Sequence, residues 1–236
     1  MKEVNSYGWK AVIGSSIGYA MDGFDLLILG FMLSLISGDL GLTTGQAGSL
    51  VTWTLVGAVI GGFIFGTLSD KFGRVRVLTW TIVLFAVFTG LCAFAQGYWD
   101  LLIYRTIAGI GLGGEFGIGM ALAAEAWPAQ HRAKATSYVA IGWQLGVLAA
   151  ALLTPVLLPY IGWRGMFMVG IIPAFVAWIF RAKLHEPEIF VQSKETKENS
   201  HTNSFKLLVK DVRTTKTSIG VAVLTSVQNF GYYGIM

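Results

Sequence analysis

The sequence predicts an all-α membrane protein, with six transmembrane helices in one bundle followed by the start of a seventh helix. The first observation is composition: 54% of the 236 residues are hydrophobic and 13% are charged, whereas about 25% of residues are charged in an average soluble domain. The second is the recurrence of long stretches without charged residues. A helix of about 20 residues crosses the ~30 Å hydrocarbon core of a bilayer, so each stretch is a candidate membrane span.

The candidate spans follow one another along most of the chain. They occupy residues 11–36, 40–69, 77–98, 99–124, 135–163, 165–180 and 217–236. The first and fourth contain ionisable residues, which a membrane span tolerates when they are few. Lipid offers no hydrogen-bond partner to an exposed backbone, and no stretch shows the alternation of a barrel strand. All of the spans are therefore expected to be helices.

The spans divide the chain into three parts. Residues 1–182 are predicted to form the six-helix transmembrane bundle, residues 183–216 a polar cytoplasmic loop, and residues 217–236 the beginning of a seventh transmembrane helix. Six spans, a long charged loop and the start of a seventh span are typical of the N-terminal half of a twelve-helix transporter.

The positive charges predict the orientation. If each span reverses the chain, only Arg105 and Arg164 of the 17 Lys and Arg do not lie on the same side as the N-terminus. By the positive-inside rule this excess places the N-terminus in the cytoplasm and predicts a multi-pass protein of the plasma membrane. Topology thus explains the net charge of +4, and no basic patch interleaved with aromatic residues indicates nucleic-acid binding.

Glycines spaced four residues apart predict close helix packing. The pairs are Gly14/Gly18, Gly57/Gly61, Gly62/Gly66, Gly109/Gly113, Gly113/Gly117 and Gly142/Gly146. Three glycines of the fourth span, Gly109, Gly111 and Gly114, also match the G-x-G-x-x-G pattern of dinucleotide-binding proteins. That interpretation is rejected, because the strand that must precede the pattern and the surrounding soluble βαβ unit are absent from the sequence.

Four charged residues lie deep inside the spans, namely Asp22, Asp25, Arg105 and Glu115. Asp22 follows residue 11, where the first span begins, by 11 residues, which corresponds to about 17 Å of helix and places it near the membrane midplane. Asp25 lies one turn further on the same face. An ionised side chain at this depth costs at least about 2.5–3.5 kcal/mol, so each of the four is expected to face a cavity or a partner.

Two interpretations of these charges remain open. In the functional one, the acids take up a proton on one side of the membrane and release it on the other, while Arg105 holds an anionic substrate or steadies a carboxylate. In the structural one, an ion pair of Arg105 with Glu115 or with Asp25 only fixes the helix packing. The sequence alone does not separate them.

Other candidate sites are few. Gln144 in the fifth span either lines a substrate cavity or makes a hydrogen bond to a neighbouring helix. The three histidines lack the spacing of metal ligands, and no Ser/His/Asp or Cys/His combination is placed for hydrolysis. We therefore expect no metal, no cofactor and no catalytic residue, and a membrane-embedded enzyme is the weakest hypothesis.

The loop between the second and third spans carries a recognisable motif. Residues 66–76 read G-T-L-S-D-K-F-G-R-V-R, which resembles the signature G-x-x-x-D-[RK]-x-G-R-[RK]-[RK] of the major facilitator superfamily and departs from it at Val75. R-x-x-x-G-x-G from Arg105 and E-x6-R from Glu125 to Arg132 resemble two further signatures of that superfamily. The resemblance implies a cytoplasmic gate that closes against the other half of the transporter. Its residues here are Gly66, Asp70, Lys71, Gly73, Arg74, Glu125 and Arg132.

Within that superfamily, D-G-F-D at residues 22–25 is similar to the proton-coupled organic-acid branch, which includes aromatic-acid and sialic-acid symporters. G-E-F-G at residues 114–117, followed by E-A-W-P at residues 125–128, is most similar to the sialate and short-chain carboxylate members. The resemblance implies symport of a small anionic metabolite with protons by alternating access, with Asp22 and Asp25 on the coupling path. It also implies two partners, the lipid bilayer and a C-terminal six-helix half.

A second hypothesis is that the chain is a non-transporting half or a truncated fragment, because a site between two bundles is not completed by one of them. Such a half needs a separate C-terminal bundle. Pairing of two copies of the same half is a third hypothesis.

Overall fold

The computed structural model describes residues 6–182, residue 186 and residues 211–235. The described elements are helices: α1 (Ser6–Leu40), α2 (Thr44–Phe72), α3 (Arg74–Cys92), α4 (Tyr98–Glu125), a 3-10 turn (Ala129–His131), α5 (Arg132–Ala182) and α6 (Val212–Ile235). Helices α1 to α5 belong to one compact unit and α6 belongs to another. The prediction of an all-α membrane fold is confirmed, because α1 to α5 are long and apolar enough to cross a bilayer.

Helix α5 supplies two passes. Its 51 residues would extend about 77 Å as one straight helix, more than twice the ~30 Å hydrocarbon core. The helix is interrupted at Gly162, where φ is 64° and ψ is 179°, a backbone conformation that glycine adopts readily because it has no Cβ. The chain therefore bends at Gly162 between a first arm, residues 132–161, and a second arm, residues 163–182.

Contacts with α1 show the direction of the two arms. The adjacent pairs are Gly142 with Ser16, Gly146 with Ala20, Trp163 with Asp39, and Gly170 with Ile28. Along the first arm the contacts move towards the C-terminal end of α1, and along the second arm they move back. The second arm therefore reverses the chain, as the two separate predicted spans required.

The predicted boundary of the seventh helix differs from the structure. Helix α6 begins at Val212 rather than at residue 217. Asp211 lies immediately before it, and its carboxylate accepts hydrogen bonds from the Thr214 backbone N–H (2.8 Å) and hydroxyl (3.0 Å), as a helix N-cap residue does. The predicted start lies after the last charged residue, so the prediction assigns the polar first turn of α6 to the loop. Most of the predicted loop 183–216 lies outside the described residues.

The glycine pairs of α2 and α4 place two backbones in contact. A Cβ added at Gly57 or Gly61 would meet a carbonyl oxygen of α4, and one added at Gly109 or Gly113 would meet a carbonyl oxygen of α2. These two pairs therefore pack as predicted. The predicted contacts at Gly66 and Gly117 are wrong within the described part of the chain, because open space surrounds both positions there.

The two kinds of glycine on α4 allow a matched test. Gly113→Ala should lower the free energy of unfolding by about 1–3 kcal/mol, since the new Cβ meets the Ala58 carbonyl oxygen and forces α2 and α4 apart. Gly117→Ala, four residues further along, should leave stability unchanged or raise it by up to about 1 kcal/mol through helix propensity. Thermal unfolding in detergent micelles, followed by circular dichroism, measures both. Equal effects at the two positions would contradict the packing described here.

Candidate functional site

Arg105 of α4 and Asp25 of α1 form a two-point ion pair inside the bundle. The Arg105 guanidinium donates from Nη1 to Asp25 Oδ1 at 3.0 Å and from Nη2 to Oδ2 at 2.7 Å. The two side chains are 0% and 1% exposed, and the guanidinium carbon lies 5.8 Å from the centre of the Phe167 ring. Both Asp25 oxygens are thus bound to the guanidinium, so in this conformation Arg105 steadies a carboxylate of the protein itself.

The other two buried acids lie in different surroundings. Asp22, one turn before Asp25 on α1, is 1% exposed. Glu115 of α4 is 3% exposed, and its Oε2 atom lies 3.0 Å from the hydroxyl of Thr81 on α3. Of the two bridges considered from the sequence, the structure therefore contains Arg105 with Asp25 and not Arg105 with Glu115. All four predicted residues are buried.

A second group of charges lies where α2 ends and α3 begins. The guanidinium of Arg74 donates to Ser69 Oγ at 2.6 Å, to Asp70 Oδ1 at 2.6 Å and to Glu125 Oε1 at 3.1 Å. One side chain thus joins the end of α2, the start of α3 and the end of α4. Three predicted gate residues, Asp70, Arg74 and Glu125, are brought together in this way.

Gly73 and Glu186 complete this group. Gly73 separates α2 from α3 with φ at 108°, a conformation that glycine tolerates and other residues rarely adopt. The Glu186 carboxylate accepts from the backbone N–H groups of Arg74 (2.7 Å), Val75 (3.3 Å) and Arg76 (3.1 Å). It therefore satisfies three donors of the first turn of α3 and places a negative charge at the positive end of the helix dipole.

The remaining predicted residues do not join these groups. Lys71 and Arg132 are exposed, and neither makes an ion pair within the described part of the chain. Gly66 is half-buried, with open space around it. Gln144 is exposed on the first arm of α5. Among the described residues, no group of three His, Cys, Asp or Glu side chains is placed to hold a metal ion.

The opposite end of the bundle has its own ion pair. Asp39, near the end of α1, accepts from Arg164 Nη1 at 2.5 Å and from the Trp163 indole N–H at 3.0 Å. Arg164 also donates to the Ala95 carbonyl at 3.2 Å. Both charged side chains are nearly half exposed, so their electrostatic contribution is small. Their geometry ties the bend of α5 to α1 and to the turn before α4.

Besides Ser69, which lies within the recognised motif, the sequence interpretation missed two residues of these sites, Glu186 and Thr81. Glu186 lies 112 positions from Arg74, in a polar loop with several other acids, so no local pattern distinguishes it. Thr81 is an uncharged residue in an apolar span, where a hydroxyl usually bonds to its own helix backbone. Only the packing of α3 against α4 shows that it reaches Glu115.

Replacing Glu186 tests its role at the start of α3. Glu186→Ala removes the acceptor of three N–H groups and should lower the free energy of unfolding by about 0.5–2 kcal/mol, as loss of a helix cap does. Glu186→Gln keeps an acceptor but loses the charge, so its effect should be smaller. Lys71→Ala, at an exposed position in the last turn of α2, is the control. Thermal unfolding of all three variants ranks their stabilities. Unchanged stability of Glu186→Ala would contradict the contact between Glu186 and the start of α3.

These observations define a class of protein. A helical bundle that buries charged residues inside its membrane spans is typical of one half of a secondary transporter. The chain belongs to the Major Facilitator Superfamily, which it matches over residues 15–236. The predicted family and fold class, the N-terminal half of that fold, are both confirmed.

Individual relatives and solved structures agree with the family. A putative metabolite transport protein of Haemophilus influenzae is 77% identical over 239 residues, which cover 99% of this chain and 59% of the relative. A probable 4-methylmuconolactone transporter of Cupriavidus pinatubonensis is 40% identical over 184 residues, covering 76% of this chain and 43% of the relative. The xylose transporter XylE of Escherichia coli, in a partially occluded inward-open conformation, shares the fold with a TM-score of 0.73 at 24% identity, covering 82% of this chain and 52% of that one.

Other relatives are named as transporters of sialic acid, cis,cis-muconate, niacin and benzoate. The chain spans 59% and 43% of the length of the two relatives described above. Transport of small organic molecules is thus common to these relatives, and each of them is longer than the segment that this chain matches.

Proposed function

We propose that this chain forms the N-terminal half of a proton-coupled symporter for a small organic anion, working by alternating access. The observation that carries the proposal is the fully buried pair of Arg105 and Asp25, with Asp22 one turn away. Ionisable groups at this depth are retained where they move ions or bind substrate. The relatives named for muconate, sialic acid, niacin and benzoate support an organic acid as the substrate.

The proposed coupling set is Asp22, Asp25, Glu115 and Arg105. A protonated carboxyl carries no charge, so its burial while the two bundles rock around the substrate costs less than burial of a carboxylate. Arg105 compensates the charge of Asp25 when that carboxyl is ionised. Protonation from the outer side and release to the inner side then tie substrate entry to the proton gradient.

Stoichiometry sets which gradient drives uptake. One proton carried with one monoanion moves no net charge, so the pH difference alone drives accumulation, about tenfold for each pH unit. A further proton makes the step electrogenic and adds about 2.3 kcal/mol for each 100 mV of membrane potential.

The group around Arg74 is proposed to be the cytoplasmic gate. Its ion pairs hold the ends of α2 and α4 to the start of α3, and Glu186 fixes the turn at Gly73. In this proposal, these contacts shape the end of the bundle against which the other half closes. Under this proposal, the N-terminus and the end of the bundle that carries Arg74 lie on the cytoplasmic side of the plasma membrane.

A second bundle is needed to close the site, because in this fold the substrate lies between two bundles. That bundle either continues the same polypeptide or comes from a separate one. We define the completed transporter as this chain joined to the part of the Haemophilus influenzae relative that this chain does not match. The alternative function, a half that transports nothing alone, concerns this chain by itself.

Uptake into liposomes tests both the proposed symport and the alternative that this chain transports nothing alone. With an acidic exterior, the completed transporter should accumulate labelled cis,cis-muconate or benzoate, and a protonophore should abolish the accumulation. The 236-residue chain alone should accumulate no more of either acid than protein-free liposomes do, which take up some benzoate because neutral benzoic acid crosses the bilayer unaided. Accumulation by the chain alone would instead favour pairing of two copies. No accumulation of any tested organic acid by the completed transporter would overturn the proposed function.

A further inference from the structure

Three aromatic side chains from three helices meet at the level of the buried acids. The ring of Tyr19 on α1 lies 5.0 Å from Phe116 on α4 and 5.1 Å from Trp143 on α5, between ring centres. Tyr19 is one turn before Asp22, and Phe116 directly follows Glu115. We call Tyr19, Phe116 and Trp143 the aromatic cluster. Neither the ion pair nor the group around Arg74 includes any of them.

The aromatic cluster lies on one particular face of the bundle. On α4, Gly111 and Gly114 pack on α3, and Phe116 lies roughly opposite them at about 100° per residue. On α1, Ile28 packs against the second arm of α5, and Tyr19, nine residues before it, is turned by about 180°. The cluster therefore faces away from α3 and from the second arm of α5.

This face is open and aromatic. Phe116 is 48% exposed, while Tyr19 and Trp143 are partly exposed beside it. The ion pair lies elsewhere along α4, because Arg105 precedes Phe116 by 11 residues, about 17 Å of helix, and its guanidinium is bound to Asp25. What this half presents at that level is therefore ring surface rather than a free cation.

We infer that the aromatic cluster is a subsite for the planar, conjugated part of the substrate, and that it selects unsaturated or aromatic acids over saturated ones. The inference rests on the proposed function and deepens it. Aromatic rings attract a second π system in stacked or edge-to-face geometry beyond simple apolar burial, so a conjugated chain or ring gains more here than a saturated one. The acid's carboxylate must then be recognised largely by the other bundle.

The names of the relatives agree with this substrate class. Muconate, benzoate and niacin each combine a planar conjugated system with a carboxyl group. Sialic acid, the substrate in the name of another relative, is a saturated sugar acid. The inference therefore predicts a substrate that resembles those in the names of the muconate, benzoate and niacin relatives, and not the saturated sugar acid in the name of the sialic acid relative.

The test compares substrates that share a carbon skeleton and differ in whether it is conjugated or saturated. The completed transporter is assayed for kcat/KM with cis,cis-muconate against adipate, its saturated counterpart, and with benzoate against cyclohexanecarboxylate. Wild type should prefer the unsaturated member of each pair. Phe116→Leu and Tyr19→Leu keep an apolar side chain but remove a ring. Each should reduce that preference by about 2- to 12-fold, the range expected for one aromatic pair.

Two controls keep the outcome decisive. Phe31→Leu, an equally exposed ring on α1 outside the aromatic cluster, should leave the preference unchanged, and Tyr19→Phe, which retains a ring, should behave as wild type. If the ring variants slow both members of a pair equally, or change neither, the subsite is wrong. If no acid of either kind accumulates in wild type, the proposed function itself fails.

Discussion

Arg105→Ala is expected to have the largest effect of any single replacement in this chain. It leaves the buried Asp25 carboxylate without its two guanidinium hydrogen bonds. Removing one partner of a buried ion pair typically lowers the free energy of unfolding by about 3–5 kcal/mol. A loss of this size exceeds that predicted for the glycine or Glu186 variants. Chemical unfolding of the purified protein in detergent measures it.

A double variant separates stability from function. Arg105→Met with Asp25→Asn removes both charges while keeping side chains of similar size, so most of the lost stability should return. Transport should not return, because the variant lacks the carboxyl at position 25 that is proposed to bind the proton. A double variant as unstable as the sum of the two single changes would contradict the pairing. One that transports normally would show that the pair serves packing alone.

Asp22→Asn is expected to abolish accumulation driven by a pH gradient. In wild type, a gradient of one pH unit supports about tenfold accumulation of a monoanion carried with one proton. The amide side chain introduced by this replacement neither binds nor releases a proton, so the inside-to-outside ratio of substrate should fall to about one. Labelled uptake into liposomes of the completed transporter gives that ratio directly.

Exchange and a matched control accompany this measurement. Substrate exchange across the membrane needs no net proton movement, so Asp22→Asn should still exchange internal for external acid, which shows that the variant is folded. Asp100→Asn changes an acid in the first turn of α4, outside the buried group, and should accumulate substrate as wild type does. Full accumulation by Asp22→Asn would remove Asp22 from the coupling set.

Hydropathy and charge predict the membrane spans well because both act through the bilayer and need no knowledge of neighbours. The predicted spans agree with α1 to α6 except at their ends. The second and third predicted spans, 40–69 and 77–98, extend beyond α2 and α3, which begin at Thr44 and end at Cys92, while the polar turn begun by Asp211 extends α6 beyond its predicted start. The glycine spacing predicts the contact of α2 with α4 for the same local reason. It errs at Gly117 because spacing does not show which face of a helix meets a neighbour.

The partners within the site were not predictable in the same way. Asp25 and Glu115 are equally reasonable partners of Arg105 in the sequence, and the choice depends on how α1 and α4 are rotated against each other. The aromatic cluster needs three helices to be placed, and the contact of Glu186 joins residues more than a hundred positions apart. Each of these depends on tertiary packing, which local sequence patterns do not encode.

Proton movement driven by substrate tests the central claim most directly. Liposomes that contain the completed transporter and an internal pH dye are prepared at pH 7 on both sides, and cis,cis-muconate is added outside. We predict that the lumen acidifies as the acid enters, and that empty liposomes and liposomes with Asp22→Asn show no such change. Entry of labelled muconate without acidification of the lumen would contradict proton-coupled symport by this protein.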